Sequence, residues 1–80
     1  MPRWNDEDRT PLEVLRASSG FSREKAAVAL GVSMMTLYRH EKGVTEIPLK
    51  IARNMATLYG VTLDDILRLI DEGNVEKAAT

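Results

Sequence analysis

Cysteine is absent from this chain of 80 residues, and histidine occurs once. Without cysteine there is no disulfide framework, no thiolate zinc site and no cysteine nucleophile. A single histidine, His40, cannot build a metal site from imidazoles. The sequence also lacks a nucleophile–base pair, a ligand cluster and a phosphate-cradling glycine loop. We therefore expect no metal, no cofactor and no enzymatic activity.

Long apolar runs are absent as well. No stretch approaches the ~20 apolar residues of a membrane span, and the first residues, MPRWNDEDR, lack the apolar core of a signal peptide. A hydrophobic fraction of 44% with a net charge of −1 excludes a disordered chain. A chain of this length forms one domain. We expect that domain to be soluble and cytoplasmic, with no membrane contact.

Charge is unevenly distributed along the chain. Residues 16–53 carry seven basic side chains against three acidic ones, whereas residues 1–15 and 54–80 are both acidic on balance. The sequence pI of about 5.8 is lower than nucleic-acid-binding domains often show. A basic middle permits an anionic partner there, but on charge alone a solvated surface with chance clustering explains the pattern better.

The apolar spacing and the capping residues predict five short helices and no strand. The predicted helices begin at Pro11, Arg23, Met34, Pro48 and Leu63. The first four end before the glycines Gly20, Gly31, Gly43 and Gly60. Polar caps precede most of these starts, and glycine suits the left-handed residue that commonly ends a helix.

The most informative stretch is Ser22–Gly43, SREKAAVALGVSMMTLYRHEKG. Its two helices meet at the three-residue turn Gly31–Ser33, which is too short for an antiparallel hairpin and favours a steep crossing. A steep crossing needs a small residue where the backbones approach, and Ala27 meets that need. The N-terminal half of the third helix is then presented outward, and a helix is narrow enough to enter a DNA major groove.

Two segments together resemble the Cro/CI-type helix-turn-helix family, also called lambda-repressor-like or XRE-like. They are FSREKAAVALGVSMMTLYRHEKG and IARNMATLYGVTLDDIL, and the resemblance covers Pro11 to Ile70. It implies a compact all-α, five-helix lambda-repressor-like domain, with the helix-turn-helix formed by helices 2 and 3. We expect a flexible N-terminal arm at 1–9, the helix-turn-helix DNA-binding domain at 10–72 and a flexible C-terminal tail at 73–80.

The resemblance also assigns roles to individual residues. The third helix corresponds to the recognition helix of the family. Residues expected to contact base edges are Met34, Met35, Tyr38 and Arg39. Residues expected to contact the DNA backbone are Ser22, Arg23, Ser33 and Lys42. Arg16 and Glu41 stand where the family often pairs an arginine with a glutamate, so a partly buried structural ion pair is expected.

The sequence departs from the family pattern at the start of the recognition helix. Relatives often place glutamine there, whereas this chain has Met34 and Met35 and contains no glutamine. Methionine cannot make the bidentate bond to adenine, so base specificity must rest more on Arg39. The two methionines are either core filler or groove contacts. His40 is expected to be a packing residue, and for Trp4 a docking arm and a disordered segment remain equally open.

The leading hypothesis is a sequence-specific DNA-binding transcriptional regulator of bacterial or phage type. It would bind double-stranded DNA as a homodimer on an inverted-repeat operator and repress by occluding RNA polymerase. The apolar residues that could supply a dimer contact are Leu58, Tyr59, Leu67 and Ile70. The alternative is a protein-interaction module with the same fold, such as an antitoxin or an antirepressor partner. Met34 and Met35 favour that alternative, whereas Arg39 favours DNA.

Overall fold

Five α-helices form the described part of the chain, which in this computed structural model is the backbone of residues 9–79 and the side chains of residues 9–73. The helices are α1 (Pro11–Ser18), α2 (Arg23–Leu30), α3 (Met34–Lys42), α4 (Leu49–Tyr59) and α5 (Leu63–Ala79). No strand occurs within that range. The predicted all-α class is confirmed. The predicted helix starts are confirmed to within one residue, since Pro48 is the N-cap of α4 rather than its first residue.

Hydroxyl side chains start most of these helices. Each accepts a hydrogen bond from the backbone N–H three residues further on, which satisfies a donor that the helix leaves unpaired. The capping residues that do so are Thr10, Ser22, Ser33 and Thr62. At α4, Pro48 precedes the helix without a side-chain hydrogen bond. Local sequence thus fixes where the helices begin.

The first four helices end with the same backbone geometry. Each helix is followed by a glycine with positive φ, and the hydrophobic residue after that glycine donates its N–H to a carbonyl five residues back. At the end of α2, Gly31 has φ 76° and Val32 N donates to Ala27 O at 3.0 Å. The corresponding donors elsewhere are Phe21, Val44 and Val61. After the end of α2, the chain reverses into α3, which packs against α2.

All five helices contribute buried side chains to one hydrophobic core. Leu37, Met55 and Ile66 are its largest fully buried side chains, one each from α3, α4 and α5. Ala27 of α2 and Ala52 of α4 are also buried, and α2 packs against both α3 and α4. Small side chains allow helix backbones to approach closely. The sequence-based prediction that Ala27 lies at a close approach is consistent with its 2% exposure.

The flexible C-terminal tail expected from residue 73 onward stays a prediction, although the described backbone there is helical. The backbone continues α5 through Gly73 to Ala79, and Gly73 lies inside the helix, with room for a Cβ 3.8 Å from Pro11 Cδ. Thr80 lies outside the described residues, as do residues 1–8 with Trp4, so the proposed arm and domain boundaries stay predictions. Across the described range, the helices are all too short or too polar to cross a bilayer.

Candidate nucleic-acid interface

Helix α3 has a buried side and an exposed side. Leu37 is fully buried, and His40 and Glu41 are almost so. Met34 and Met35 are 49% and 58% exposed at the start of the helix. The predicted alternative of core filler for the two methionines does not fit these values. The outward side therefore carries the methionines and, one turn further along, Arg39.

The start of α3 is fixed by hydroxyl groups. Ser33 Oγ accepts from Thr36 N at 3.0 Å and lies 2.9 Å from Thr36 Oγ1, in a second hydrogen bond. The end of the helix is closed by Gly43, whose N–H bonds to His40 O at 3.2 Å. Ser33 is therefore a cap in the free protein. Its phosphate contact stays a prediction, because the hydroxyl proton of Ser33 is donated to Thr36 Oγ1 in the free protein.

Arg39 stands apart from the other arginines of this region. Its side chain is exposed, and among the described side chains its guanidinium has no ion-pair partner. A guanidinium fork presents parallel N–H donors that match O6 and N7 of guanine in the major groove. None of the ion pairs within the described part of the chain involves that fork, so no described carboxylate competes there with an acceptor edge brought to the helix.

A shallow depression lies beside the two methionines. It is lined by Arg23, Met34, Met35 and Tyr38. The guanidinium carbon of Arg23 lies 5.2 Å from the centroid of the Tyr38 ring, and Lys42 Nζ lies 5.8 Å from it. Both separations are within cation–π range. The depression thus has an apolar floor with positive charge at its edge.

A buried ion network lies behind this surface. Glu41 accepts from Arg16 Nε at 2.7 Å and from Arg23 Nε at 3.2 Å. Glu13 accepts from Arg23 Nη2 at 2.7 Å and from Lys42 Nζ at 3.0 Å. Glu13 and Glu41 are 2–3% exposed, and among the described residues three cations surround these two carboxylates. It joins α1, α2 and α3 into one unit.

The structure therefore brings Arg16 and Glu41 together, as the resemblance implies. Arg16 Nη1 also donates to Phe21 O at 2.9 Å, which ties the loop after α1 to the same pair. Arg23 and Lys42, expected at the DNA backbone, are held by buried carboxylates in the free protein. Both keep about a fifth of the side chain exposed, so contact with a phosphate stays a prediction rather than an observation.

Glu13 is the member of the network that sequence reasoning missed. Its side chain accepts from Thr10 N at 2.9 Å while Thr10 Oγ1 accepts from Glu13 N, which is a capping box. The spacing Thr-x-x-Glu at residues 10–13 was a usable signal for that box. The contact with Lys42, 29 residues away, left no signal in the sequence.

Electrostatics set the pKa of Glu13. Burial on its own raises the pKa of this carboxyl. The hydrogen bonds from Thr10 N and Lys42 and the positive charges of Lys42 and Arg23 outweigh burial, so the pKa lies below its ordinary value. Glu13 is therefore a stable anion at neutral pH and a fixed anchor for two cations.

Tyr59 packs against the other side of the network region. Burial raises its pKa to about 12, the negative charge of Glu41 adds to the rise, and Arg16 opposes it. Its ring lies 6.0 Å from that of Phe21, and its hydroxyl has no hydrogen-bond partner in the described structure. Tyr59 is a core residue with 8% exposure, so little of its surface is available for the predicted contact between copies. Leu67, 41% exposed, remains accessible.

His40 lies on the buried side of α3. Its Nδ1 is 3.1 Å from Thr45 Oγ1 in the loop that follows the helix. This is the packing role with a polar tip that the sequence predicted. Within the described residues, no group of three or more His, Asp or Glu side chains is placed to hold a metal ion.

Comparison with known proteins agrees with this geometry. Residues 11–69 match the family described as "Helix-turn-helix domain". An uncharacterised HTH-type transcriptional regulator of Methanocaldococcus jannaschii is 34% identical over 64 residues, which are 80% of this chain and 97% of that protein. No solved structure matches the chain significantly.

A second relative is much longer than this chain. It is a protein of Pyrobaculum aerophilum named as a candidate HTH-type transcriptional regulatory protein, and it is 35% identical over 72 residues. Those residues make up 90% of this chain but only 28% of that relative. The segment that matches the family, residues 11–69, covers most of the fold and includes α2, the turn and α3. The chain belongs to the helix-turn-helix family, of the XRE-like kind.

Proposed function

We propose that this domain binds double-stranded DNA sequence-specifically, with α3 in the major groove, and thereby regulates transcription. The observation that carries the proposal is the exposed side of α3. There Arg39, which has no ion-pair partner among the described side chains, stands beside an apolar surface edged by Arg23 and Lys42. Membership of the helix-turn-helix family and the names of both relatives support it. An α-helix with donors on its outer side has the size and chemistry for major-groove reading.

Each residue of the surface has a distinct part in this proposal. Arg39 binds guanine through its two-pronged fork, and Met34, Met35 and Tyr38 contact base edges or the sugar wall of the groove. The DNA backbone is met by Arg23 and Lys42, together with the helix starts at Ser22 and Ser33. Phosphate contacts position the protein, and base contacts select the sequence.

The regulator proposed is a small repressor that acts as a homodimer on an inverted repeat. One domain of this size covers a single half-site, and two copies place recognition helices in successive grooves about 34–36 Å apart. Such a dimer represses by occluding RNA polymerase. The exposed Leu67 and the half-buried Leu58 and Ile70 are the residues that favour a contact between copies.

One observation favours a second function. Two exposed methionines next to a tyrosine also suit an apolar protein partner, such as a toxin or an antirepressor. The dependence of binding affinity on salt concentration distinguishes the two functions. Binding through several phosphates weakens steeply as salt rises, whereas apolar protein contact does not.

The test is selection of bound duplexes from a random DNA pool, followed by anisotropy titration at two salt concentrations. We expect an inverted repeat with a steep loss of affinity at the higher salt. Arg39→Ala should weaken binding to the selected duplex about tenfold to a hundredfold, the equivalent of ~1–3 kcal/mol for a bidentate base contact. No enrichment of any sequence would overturn the proposal.

Arg68→Ala is the matched control. It removes another exposed arginine, on α5, whose ion-pair partner among the described residues is Asp65 at 3.4 Å. Both variants lower the net charge by the same amount. If the two weaken binding equally and the loss is the same for scrambled DNA, Arg39 contributes charge rather than base recognition.

A further inference from the structure

The outer side of α3 carries few side chains that can hydrogen-bond to a base. Its exposed start carries two thioethers, and beyond them the side chains on that side that can donate to a base are the Arg39 guanidinium and the hydroxyl of the half-buried Tyr38. The hydroxyls of Ser33 and Thr36 bond to each other, and His40 is buried against Thr45. The helix Met34–Lys42 contains neither asparagine nor glutamine.

These side chains can contact the thymine edge of an A·T pair, but they lack the amide that recognises the adenine edge. Adenine presents an acceptor, N7, beside a donor, N6, and a two-point contact needs a side-chain amide. Thymine presents a C5-methyl group, which an apolar side chain contacts. Methionine is flexible and polarisable, so it can close around a methyl group. The exposed methionines therefore match the thymine edge.

Charge around the depression points to DNA as its occupant. Arg23 and Lys42 lie at the Tyr38 ring beside the methionines, and Glu13 and Glu41 hold them there. Among the described residues, these two carboxylates contact three cations, of which Arg23 and Lys42 each keep about a fifth of the side chain exposed. An apolar surface with fixed positive charge at its border is complementary to a groove whose methyl groups lie next to phosphates.

We propose that α3 reads A·T pairs from the thymine side, through contact of Met34 or Met35 with the thymine C5-methyl group, and reads G·C pairs through Arg39. The proposal rests on the DNA-binding function proposed above and names the base chemistry that the site selects. It predicts a binding site whose thymines can be identified by removal of a single methyl group.

The experiment replaces each thymine of the selected duplex, one at a time, by 2′-deoxyuridine, which removes only the C5-methyl group. Dissociation constants are measured by anisotropy at fixed salt with the full chain. We expect at least one thymine in each half-site at which the replacement weakens binding about fourfold, the value for burial of one methyl-sized group. Replacement of the thymines outside the half-sites should have no effect.

Variants of the methionines assign the contact. In at least one of the variants Met34→Ala and Met35→Ala, the effect of deoxyuridine on affinity should disappear, because the thymine methyl group no longer has a partner. If both variants keep the effect, neither methionine makes the contact. Val28→Ala is the matched control, since Val28 is an exposed apolar residue on α2 that does not line the depression. It should keep the fourfold effect, and thermal melting checks that every variant is folded.

Modified purines test the other half of the proposal. 7-Deazaguanine, which lacks the N7 acceptor, should weaken binding at one guanine in each half-site for the wild type and not for Arg39→Ala. 7-Deazaadenine should leave affinity unchanged at every adenine opposite a methyl-sensitive thymine. A loss at such an adenine would overturn reading from the thymine side.

The outcomes also separate this inference from the proposed function. Salt-dependent, sequence-specific binding that is insensitive to deoxyuridine at every thymine overturns the inference and leaves the DNA-binding function standing. A selected site without thymine in either half does the same. Absence of any selected sequence overturns both, and an apolar protein partner then becomes the explanation of the exposed methionines.

Discussion

Glu13 shows at the scale of single residues how buried charge shapes an exposed surface. Its carboxylate is 2% exposed, yet it binds Arg23 at 2.7 Å and Lys42 at 3.0 Å, both at the edge of the proposed DNA surface. The side chain of Glu13 itself never reaches that surface. It acts by fixing the positions of two cations that do.

Glu13→Gln tests this role through its pH dependence. The pKa of Glu13 is lowered in the folded protein from an ordinary value of 4.5, so the folded state binds its proton less readily than the unfolded state. The stability that this carboxylate supplies is complete above about pH 4.5 and is lost as pH falls through the lowered pKa. The wild type should exceed Glu13→Gln in unfolding free energy at pH 7, and the difference should shrink below about pH 4.5.

Urea unfolding from pH 7 to pH 3 measures that difference. Removal of one partner from a buried ion network costs about 3–5 kcal/mol when the other charge is left unpaired, and the neutral glutamine keeps an acceptor, so the expected loss lies below that range. Glu24→Gln is the control, because Glu24 is an exposed carboxylate on α2. A constant gap between wild type and Glu13→Gln at all pH values would contradict a lowered pKa.

The ion network also shows where residue-level prediction stops. The Arg16–Glu41 pair was expected because the two residues stand where the family that the chain resembles often pairs an arginine with a glutamate. Glu13 lay in the same sequence but carried only a local signal, the capping box with Thr10. A contact between residues 29 apart depends on how α1 and α3 pack, and no periodicity encodes it.

At the scale of helices, the turn between α2 and α3 sets the position of the proposed recognition helix. Gly31 has φ 76°, and a Cβ added there would meet nothing within 4 Å. Substitution there is opposed by backbone strain alone. Gly73 is the opposite case, because it lies within α5 and a Cβ there makes an ordinary contact with Pro11.

These two glycines give a matched pair of substitutions. Gly31→Ala should lower the free energy of unfolding by about 1–2 kcal/mol, the cost of a left-handed conformation for an L-residue. Gly73→Ala should raise it by about 0.5–1 kcal/mol, since alanine is the better residue inside a helix. Denaturant titration measures both. A stabilising Gly31→Ala or a destabilising Gly73→Ala would contradict the conformations described here.

Helix starts and ends were the most predictable part of the fold. Both kinds of helix end depend on neighbours only a few residues away, so the local sequence predicts them. They are the caps Thr10, Ser22, Ser33 and Thr62 and the glycines that follow α1 to α4. The length of α5 was not predictable in that way. Gly73 resembles a helix stop in sequence, but the helix continues through it.

The whole molecule has a net charge of −1, yet its positive charge is concentrated in the middle of the chain. Folding places part of that charge, Arg23 and Lys42, beside the exposed residues of α3. A chain with no overall positive charge should therefore bind non-specific DNA weakly. Specific affinity then depends on base contacts and on the use of two copies.

Stoichiometry tests the use of two copies. Native mass measurement of the complex should find two chains on a duplex that carries the full inverted repeat. The control is a duplex with one half-site, which should hold one chain with much lower affinity. One chain on the full repeat, at affinity equal to that on the half-site, would contradict the dimeric arrangement.

The central claim is that α3 reads base sequence and that Arg39 is its principal polar reader. The most direct test is the ratio of dissociation constants for the selected duplex and a scrambled duplex, measured at the same salt for wild type, Arg39→Ala and Arg68→Ala. The account predicts a ratio that falls about tenfold or more in Arg39→Ala and stays at the wild-type value in Arg68→Ala. An unchanged ratio in Arg39→Ala would show that α3 does not read bases through this residue.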